Sequence, residues 1–269
     1  MLYIFISLII LLLFLYINKN IHYHEYYNKI PYILFKTGPY DIPTNELKKK
    51  FDYNKEKLKV NKVFYYNDEE CYDFMHNMGI NISKAYDSLI PTAYKADLWR
   101  YCVLYRYGGI YGDMSQKFYK SYDVNKNNVD MVLVRDINEN AIQVSFIATK
   151  PNNKFLKYLI INITTDVLNK KKGINCLDVT GPYAFGRNFK KFFKLNTIPE
   201  GIVNLKGLDN NIYKVRIDLR QYKGFIFKNI KDKKIVASTK NSKHDKDLII
   251  VSKVPHYGEL YRKNKIFND

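Results

Sequence analysis

The chain has 269 residues, of which 46% are hydrophobic and 16% aromatic, and it carries a formal net charge of +18. That apolar content supports a sizeable core and excludes a chain disordered throughout. Its basic residues fall in short clusters such as Lys48–Lys50, Lys170–Lys172 and Lys231–Lys234, with no basic arm, zinc-finger spacing or RNA-binding aromatic motif beside them. The charge therefore reads as a solvated surface that also attracts anionic small molecules or lipid headgroups, and no specific nucleic-acid partner is expected.

Met1 to Ile17 is almost wholly apolar and meets Asn18-Lys19-Asn20. Seventeen helical residues span roughly 26 Å, near the thickness of a thin bilayer core. Neither a basic leader nor a small-x-small cleavage site is present, so the run is expected to be an uncleaved, single-pass transmembrane helix. Residues 18–29 read as a polar, aromatic stalk, and residues 30–269 as one large domain. Lys19, Lys29 and Lys36 follow the apolar run and none precedes it, which places the body on the cytosolic side. Cys71, Cys102 and Cys176 are widely spaced and odd in number, which indicates reduced thiols and points the same way.

Along the body, Ile30 to Thr37 is a short apolar run stopped by Gly38-Pro39 and suits a first buried strand. Val60 to Tyr66 suggests a second, followed by a helix capped by Asn67 or Asp68 and reaching about Met78. Pro91 opens a helix that runs to Tyr107 without internal Gly or Pro, and Gly108-Gly109 ends it. Ile110 to Gly112 reads as a brief strand leading to Asp113-Met114-Ser115. Further strands are expected at Asp130–Val134, Gln143–Ala148, Ile212–Ile217 and Leu248–Val251, with a helix over 152–170. Alternation of strands and helices at this spacing predicts an α/β fold with a mostly parallel sheet flanked by helices.

The 91–115 segment carries the chemistry. Asp97 and Arg100 stand three apart and share a helix face, yet Leu98, Trp99, Tyr101, Val103 and Leu104 make that helix largely apolar. Buried charges need partners; a carboxylate can hold sugar hydroxyls and a guanidinium can hold hydroxyl or phosphate oxygens. Asp113 comes at the carboxyl end of a strand, where ligands of open α/β sheets sit. If the strand continues, Asp113 and Ser115 share a face and offer two hard oxygen ligands to Mg²⁺ or Mn²⁺. Such an ion bridges diphosphate oxygens.

The order Ala96-Asp97, Arg100-Tyr101, then Tyr107-Gly108-Gly109-Ile110-Tyr111 with Asp113 resembles the DXD-motif sugar-binding glycosyltransferases of family 32, the group of the yeast initiating α-1,6-mannosyltransferase. Ile30-Pro31 through Thr37 looks like that family's opening strand, and Lys150-Pro151, Gly181-Pro182 and His256-Tyr257 fall where it has similar pairs. The resemblance implies a GT-A-type, Rossmann-like fold, a nucleotide-sugar donor, a glycan, glycoprotein or glycolipid acceptor, a divalent cation, retention of anomeric configuration and a luminal catalytic domain. Carried over by position, Asp97 and Arg100 bind the donor sugar, Tyr111 lies against the nucleotide, and Asp113 meets the nucleotide and its metal. Ser115 departs from the pattern, which has a second acid there; His256 could add a metal ligand. No catalytic nucleophile or base is identified. The departure at Ser115 also motivates an alternative, a membrane-tethered relative that binds a sugar nucleotide or glycan without turnover.

Overall fold

The computed structural model describes residues 28–39, 41, 44–221, 226–229, 234–238 and 254–268. The expected anchor over 1–17, most of the stalk and the expected strand at Leu248–Val251 lie outside the described residues. Among the described residues no helix is long and apolar enough to cross a membrane.

The core is a mixed sheet. Strand β1 (Ile33–Thr37) pairs in parallel with β2 (Lys62–Tyr66) on one side and β3 (Gly109–Gly112) on the other. Strand β6 (Phe146–Thr149) runs antiparallel to β3 and to β5 (Met131–Arg135), and β5 pairs in parallel with β8 (Ile212–Gln221). Of these six central strands five therefore point one way and β6 alone is reversed, the mostly parallel centre expected of a GT-A-type fold. Beyond β8 the pairing turns antiparallel through β9 (Ile226–Asn229), β10 (Lys234–Ser238) and the two-residue β4 (Lys117–Phe118), and β7 (Gly201–Lys206) pairs with β8 off this path.

Side chains alternate across the central strands, as a sheet buried on both faces requires. Phe35, Tyr111, Met131, Leu133 and Ile147 join the larger core with the helices. Leu34, Ile110, Val132, Val134, Phe146 and Ala148 face a smaller second core. Three helices match the sequence reading closely: Asp68–His76, closed by a capping box between Asn67 and Glu70; Thr92–Tyr107; and Lys154–Leu168, capped by the Asn153 side chain. Four more were not anticipated: Asn45–Leu58, Ile80–Ser88, Pro182–Phe193 and Tyr257–Arg262. In chain order the seven are α1 (Asn45–Leu58), α2 (Asp68–His76), α3 (Ile80–Ser88), α4 (Thr92–Tyr107), α5 (Lys154–Leu168), α6 (Pro182–Phe193) and α7 (Tyr257–Arg262).

Helix α4 organises the site. Its residues from Asp97 to Leu104 are buried without a break, so it is a core helix rather than an amphipathic surface one. It ends at Gly108 with φ +64°, and Gly109 with φ +98° turns the chain into β3. A Cβ on Gly108 would lie 2.6 Å from the Pro151 ring, and one on Gly109 would lie 2.9 Å from the Ile33 carbonyl oxygen. Only glycine meets both the left-handed backbone and the close approach. This tight turn holds the tip of β3 close to the helix that precedes it. Gly109→Ala should lower stability by about 1–3 kcal/mol, read as an earlier urea midpoint; an unchanged midpoint would contradict the close-approach argument.

Candidate functional site

Arg100 is only 6% exposed, and its guanidinium is surrounded by acceptors. Nη2 lies 3.1 Å from Asp97 Oδ1, the one-turn pair expected on α4. Nη1 donates to the Val144 carbonyl at 2.8 Å and reaches Asp113 Oδ1 at 3.3 Å, while Nε donates to the Ala96 carbonyl at 3.1 Å. The Tyr111 ring stacks beneath, 4.3 Å from the guanidinium carbon to the ring centroid. The Tyr111 hydroxyl donates to Asp113 Oδ1 at 2.7 Å. On the far side of Asp97, Thr180 Oγ1 donates to Oδ2 at 2.8 Å, and the Thr180 carbonyl accepts from Tyr101 at 2.7 Å. The three charged residues singled out in the sequence thus meet in one cluster.

The chain after β3 departs from the expected geometry. The strand ends at Gly112, and Asp113 to Gln116 form a turn closed by the Gln116 amide donating to the Asp113 carbonyl at 3.0 Å. Asp113 and Ser115 therefore do not share a strand face. The turn is held from below by Lys36, fully buried, whose Nζ donates to the carbonyls of Gly112 and Asp113 at 2.9 and 3.0 Å. Burial lowers the Lys36 pKa to about 7, against the pull of Asp113 and with help from Lys50. Asn54 of α1 fastens the other end, donating to the Gln116 carbonyl at 2.8 Å and accepting from the Phe118 amide at 3.0 Å.

Two cavities open beside this cluster. The first, about 320 Å³, is bounded by Thr37-Gly38-Pro39, the start of α4, Tyr111, Asp113, Ser115 and His256. The second, about 350 Å³, is lined by Asp97, Asp136, Gln143, Ser145, Arg220 and the Cys176–Leu177 segment, among others. Arg100 and Asp113 contribute to both. Asp113 has a side chain 35% exposed, against 7% for Arg100 and 10% for Asp97, so it is the charged member most open to a ligand. Tyr111 is only 2% exposed; besides bordering the first cavity it holds Arg100 and Asp113. His256 caps α7, its Nδ1 accepting from the Gly258 amide at 3.1 Å.

Burial pushes the Asp97 carboxyl up to about 6, although Arg100 and Thr180 pull the other way. Burial alone would weaken the Arg100 charge, but Tyr111, Asp97 and Asp113 outweigh it and its pKa is raised. Arg100 is thus a permanent cation, and Asp97 is the titrating partner.

All six residues named from the sequence, Asp97, Arg100, Tyr111, Asp113, Ser115 and His256, line one or both cavities. Sequence reasoning missed Thr180, Lys36, Asp136, Gln143, Ser145 and Arg220. Gly181-Pro182, the start of α6, was the nearest signal, one residue past Thr180. Among the described residues no group of three or more His, Cys, Asp or Glu side chains gathers as a metal cage.

Residues 16–147 match the family model for the glycosyltransferase sugar-binding region containing the DXD motif. The matched stretch is just under half of the chain and holds Asp97, Arg100, Tyr111, Asp113 and Ser115; Thr180, Arg220 and His256 lie beyond it. It supports a glycosyltransferase-like, DXD-type sugar-binding region here. A solved structure described as "PaToxG Glycosyltransferase" is similar at 14% sequence identity and a TM-score of 0.44, over 61% of this chain and 70% of that one. No curated protein matches.

Because Asp97 holds its proton more tightly when folded than at its ordinary value of 3.8, its contribution favours the fold at low pH. That contribution is lost as pH rises from about 4 towards 6. Urea unfolding at several pH values should show wild-type stability falling more steeply over this window than that of Asp97→Asn; parallel profiles would contradict the assignment.

Proposed function

We propose that the protein is a nucleotide-sugar-dependent glycosyltransferase that moves a hexose to a glycan, protein or lipid acceptor, in the manner of family 32. The observation that carries this reading is the position of Arg100, paired with Asp97 and Asp113 where the two cavities adjoin. One cavity suits the nucleoside diphosphate and the other the sugar, with the bond to be broken between them.

In this reading the Arg100 guanidinium faces the leaving diphosphate and the oxocarbenium-like sugar, already oriented by four acceptors and needing little reorganisation. Asp97, locked by Arg100 and Thr180, accepts hydrogen bonds from sugar hydroxyls. Tyr111 keeps Asp113 pointed at the shared edge. Retention of configuration follows from the family resemblance; no side chain is assigned as nucleophile or base.

A divalent cation fits this site only in part. Among the described residues Arg100 and Tyr111 bond the Asp113 carboxylate at Oδ1, and Ser115 and His256 border the same cavity. One carboxylate, one hydroxyl and one imidazole suffice for Mg²⁺ or Mn²⁺ when diphosphate oxygens complete the shell. Bound there, the ion would neutralise charge on the departing diphosphate. In the same reading Met1–Ile17 tethers the enzyme to a membrane and residues 18–29 act as the spacer.

Ser115 in place of the second acid favours one other reading, a non-catalytic binder of sugar nucleotides. A panel of nucleotide-sugars with Mn²⁺, assayed for released nucleoside diphosphate, separates the two. Transfer predicts release, and Asp97→Ala or Asp113→Ala should cut it by about a hundredfold or more. Binding without release by the wild type supports the non-catalytic reading, and undiminished turnover in either variant rejects the assigned site.

A further inference from the structure

We infer that the face around the point where the chain enters β1 docks on an anionic lipid surface, through lysines of the end of α1, the turn into β2 and residues 117–126. The inference takes the membrane tether from the proposed function and does not depend on the transfer reaction.

The chain enters the fold at a pinned point. The Ile30 amide donates to Asn125 Oδ1 and the Ile30 carbonyl accepts from Asn125 Nδ2, both at 2.9 Å. The Tyr32 hydroxyl donates to Asp123 Oδ1 at 3.1 Å, and the Tyr32 carbonyl accepts from the Asn61 amide at 2.8 Å. A bond from the Tyr122 amide to the Lys57 carbonyl, 2.8 Å, ties residues 117–126 to the end of α1. This is the amino end of β1; Thr37, which borders the first cavity, lies at the other end, roughly 16 Å of strand away. Ile30 comes thirteen residues after Ile17, the last of the apolar run. Fully extended, that length reaches at most about 45 Å, so an anchored chain keeps this face near the bilayer.

Positive charge is concentrated here. Residues 55–62 hold Lys55, Lys57, Lys59 and Lys62 against Glu56, and residues 117–126 hold Lys117, Lys120 and Lys126 against Asp123. All of these lysines are exposed except Lys57, which is half-buried. Glu56 is taken by Lys57 at 2.8 Å, and Asp123 turns inward to Tyr32 and Asn125.

Aromatic and apolar side chains interleave with the lysines. Lys57 and Lys117 each place Nζ 5.1 Å from the Tyr53 ring centroid. Tyr119, 47% exposed, donates its amide to the Val236 carbonyl, which sets it beside Ile235, itself 42% exposed. Lysine stems and tyrosine rings of this kind suit the headgroup layer, with the ammonium groups on lipid phosphate and carboxylate oxygens. Each lysine within a Debye length of an anionic leaflet adds roughly fivefold to the affinity. Docked this way, the crevice opens away from the bilayer.

Acetylation footprinting of the full chain tests this, in nanodiscs of phosphatidylcholine and in nanodiscs that also carry about 30% phosphatidylserine. Lys59, Lys62, Lys117 and Lys120 should react roughly threefold or more slowly in the anionic discs, and salt at about 0.5 M should restore their reactivity. Lys84 and Lys157, exposed on helices that pack on the other core, should react alike in both. Lys55→Gln, Lys120→Gln and Lys126→Gln combined change only exposed side chains, so the fold should persist while the protection of Lys59 and Lys62 disappears. Equal reactivity of the four lysines in the two discs overturns the inference, whether or not RNA protects them, and so does unchanged protection in the triple variant. A chain that ignores phosphatidylcholine discs but binds the anionic ones in a salt-sensitive way loses the tether and keeps the docking face. A chain that binds neither loses both.

Discussion

A guanidinium cannot be taken out of water without replacing its lost hydrogen bonds, and the organisation of this crevice follows from how Arg100 is satisfied. Two acids, two backbone carbonyls and an aromatic face converge on it. They come from α4, the tip of β3 and the segment entering β6, so the pairing depends on the sheet register as much as on the helix. Removing one member of such a buried set leaves the others uncompensated, an effect of about 3–5 kcal/mol in comparable cases. In the proposed transfer the same constraint would serve chemistry, because a cation fixed in advance needs no rearrangement when charge develops on a leaving group.

The surrounding fold keeps that cluster at a sheet edge. The parallel strands β1, β3, β5 and β8 deliver Thr37, Asp113, Asp136 and Arg220 to their carboxyl ends, where the two cavities lie. Lys36 contributes from inside the sheet. By bonding the carbonyls of Gly112 and Asp113 it fixes the turn that aims the Asp113 carboxylate. A lysine is seldom placed where it cannot reach water, and its depressed pKa reflects that burial.

Much of the central unit was legible in the sequence because its signals are local. A breaker-free helix, a glycine pair and a short apolar strand sit in one stretch, and the acid and guanidinium one turn apart lie within it. What escaped was set by distant pairing. Thr180 reaches Asp97 across 83 residues, and Arg220 reaches Asp136 across 84. Helix α1 hid behind its lysines, although Leu47, Phe51, Asn54 and Leu58 form its buried face. The strand read over Ile110–Gly112 does end at Gly112, and it does not continue through Asp113 to Ser115 because the chain turns at Asp113 under the hold of Lys36 and Asn54. In the sequence Lys36 counts only as one of the lysines that follow the apolar N-terminal run, and nothing local shows that its strand, covered on both faces, would bury it.

Where a donor binds decides the proposed function most directly. A crystal structure of the chain with a nucleotide-sugar that it hydrolyses and Mn²⁺ should place the diphosphate beside Tyr111 and Asp113. The sugar should then lie against Asp97, with Arg100 within hydrogen-bond distance of the bond between them. A donor seated elsewhere on the protein, with this crevice unchanged and empty, would contradict it.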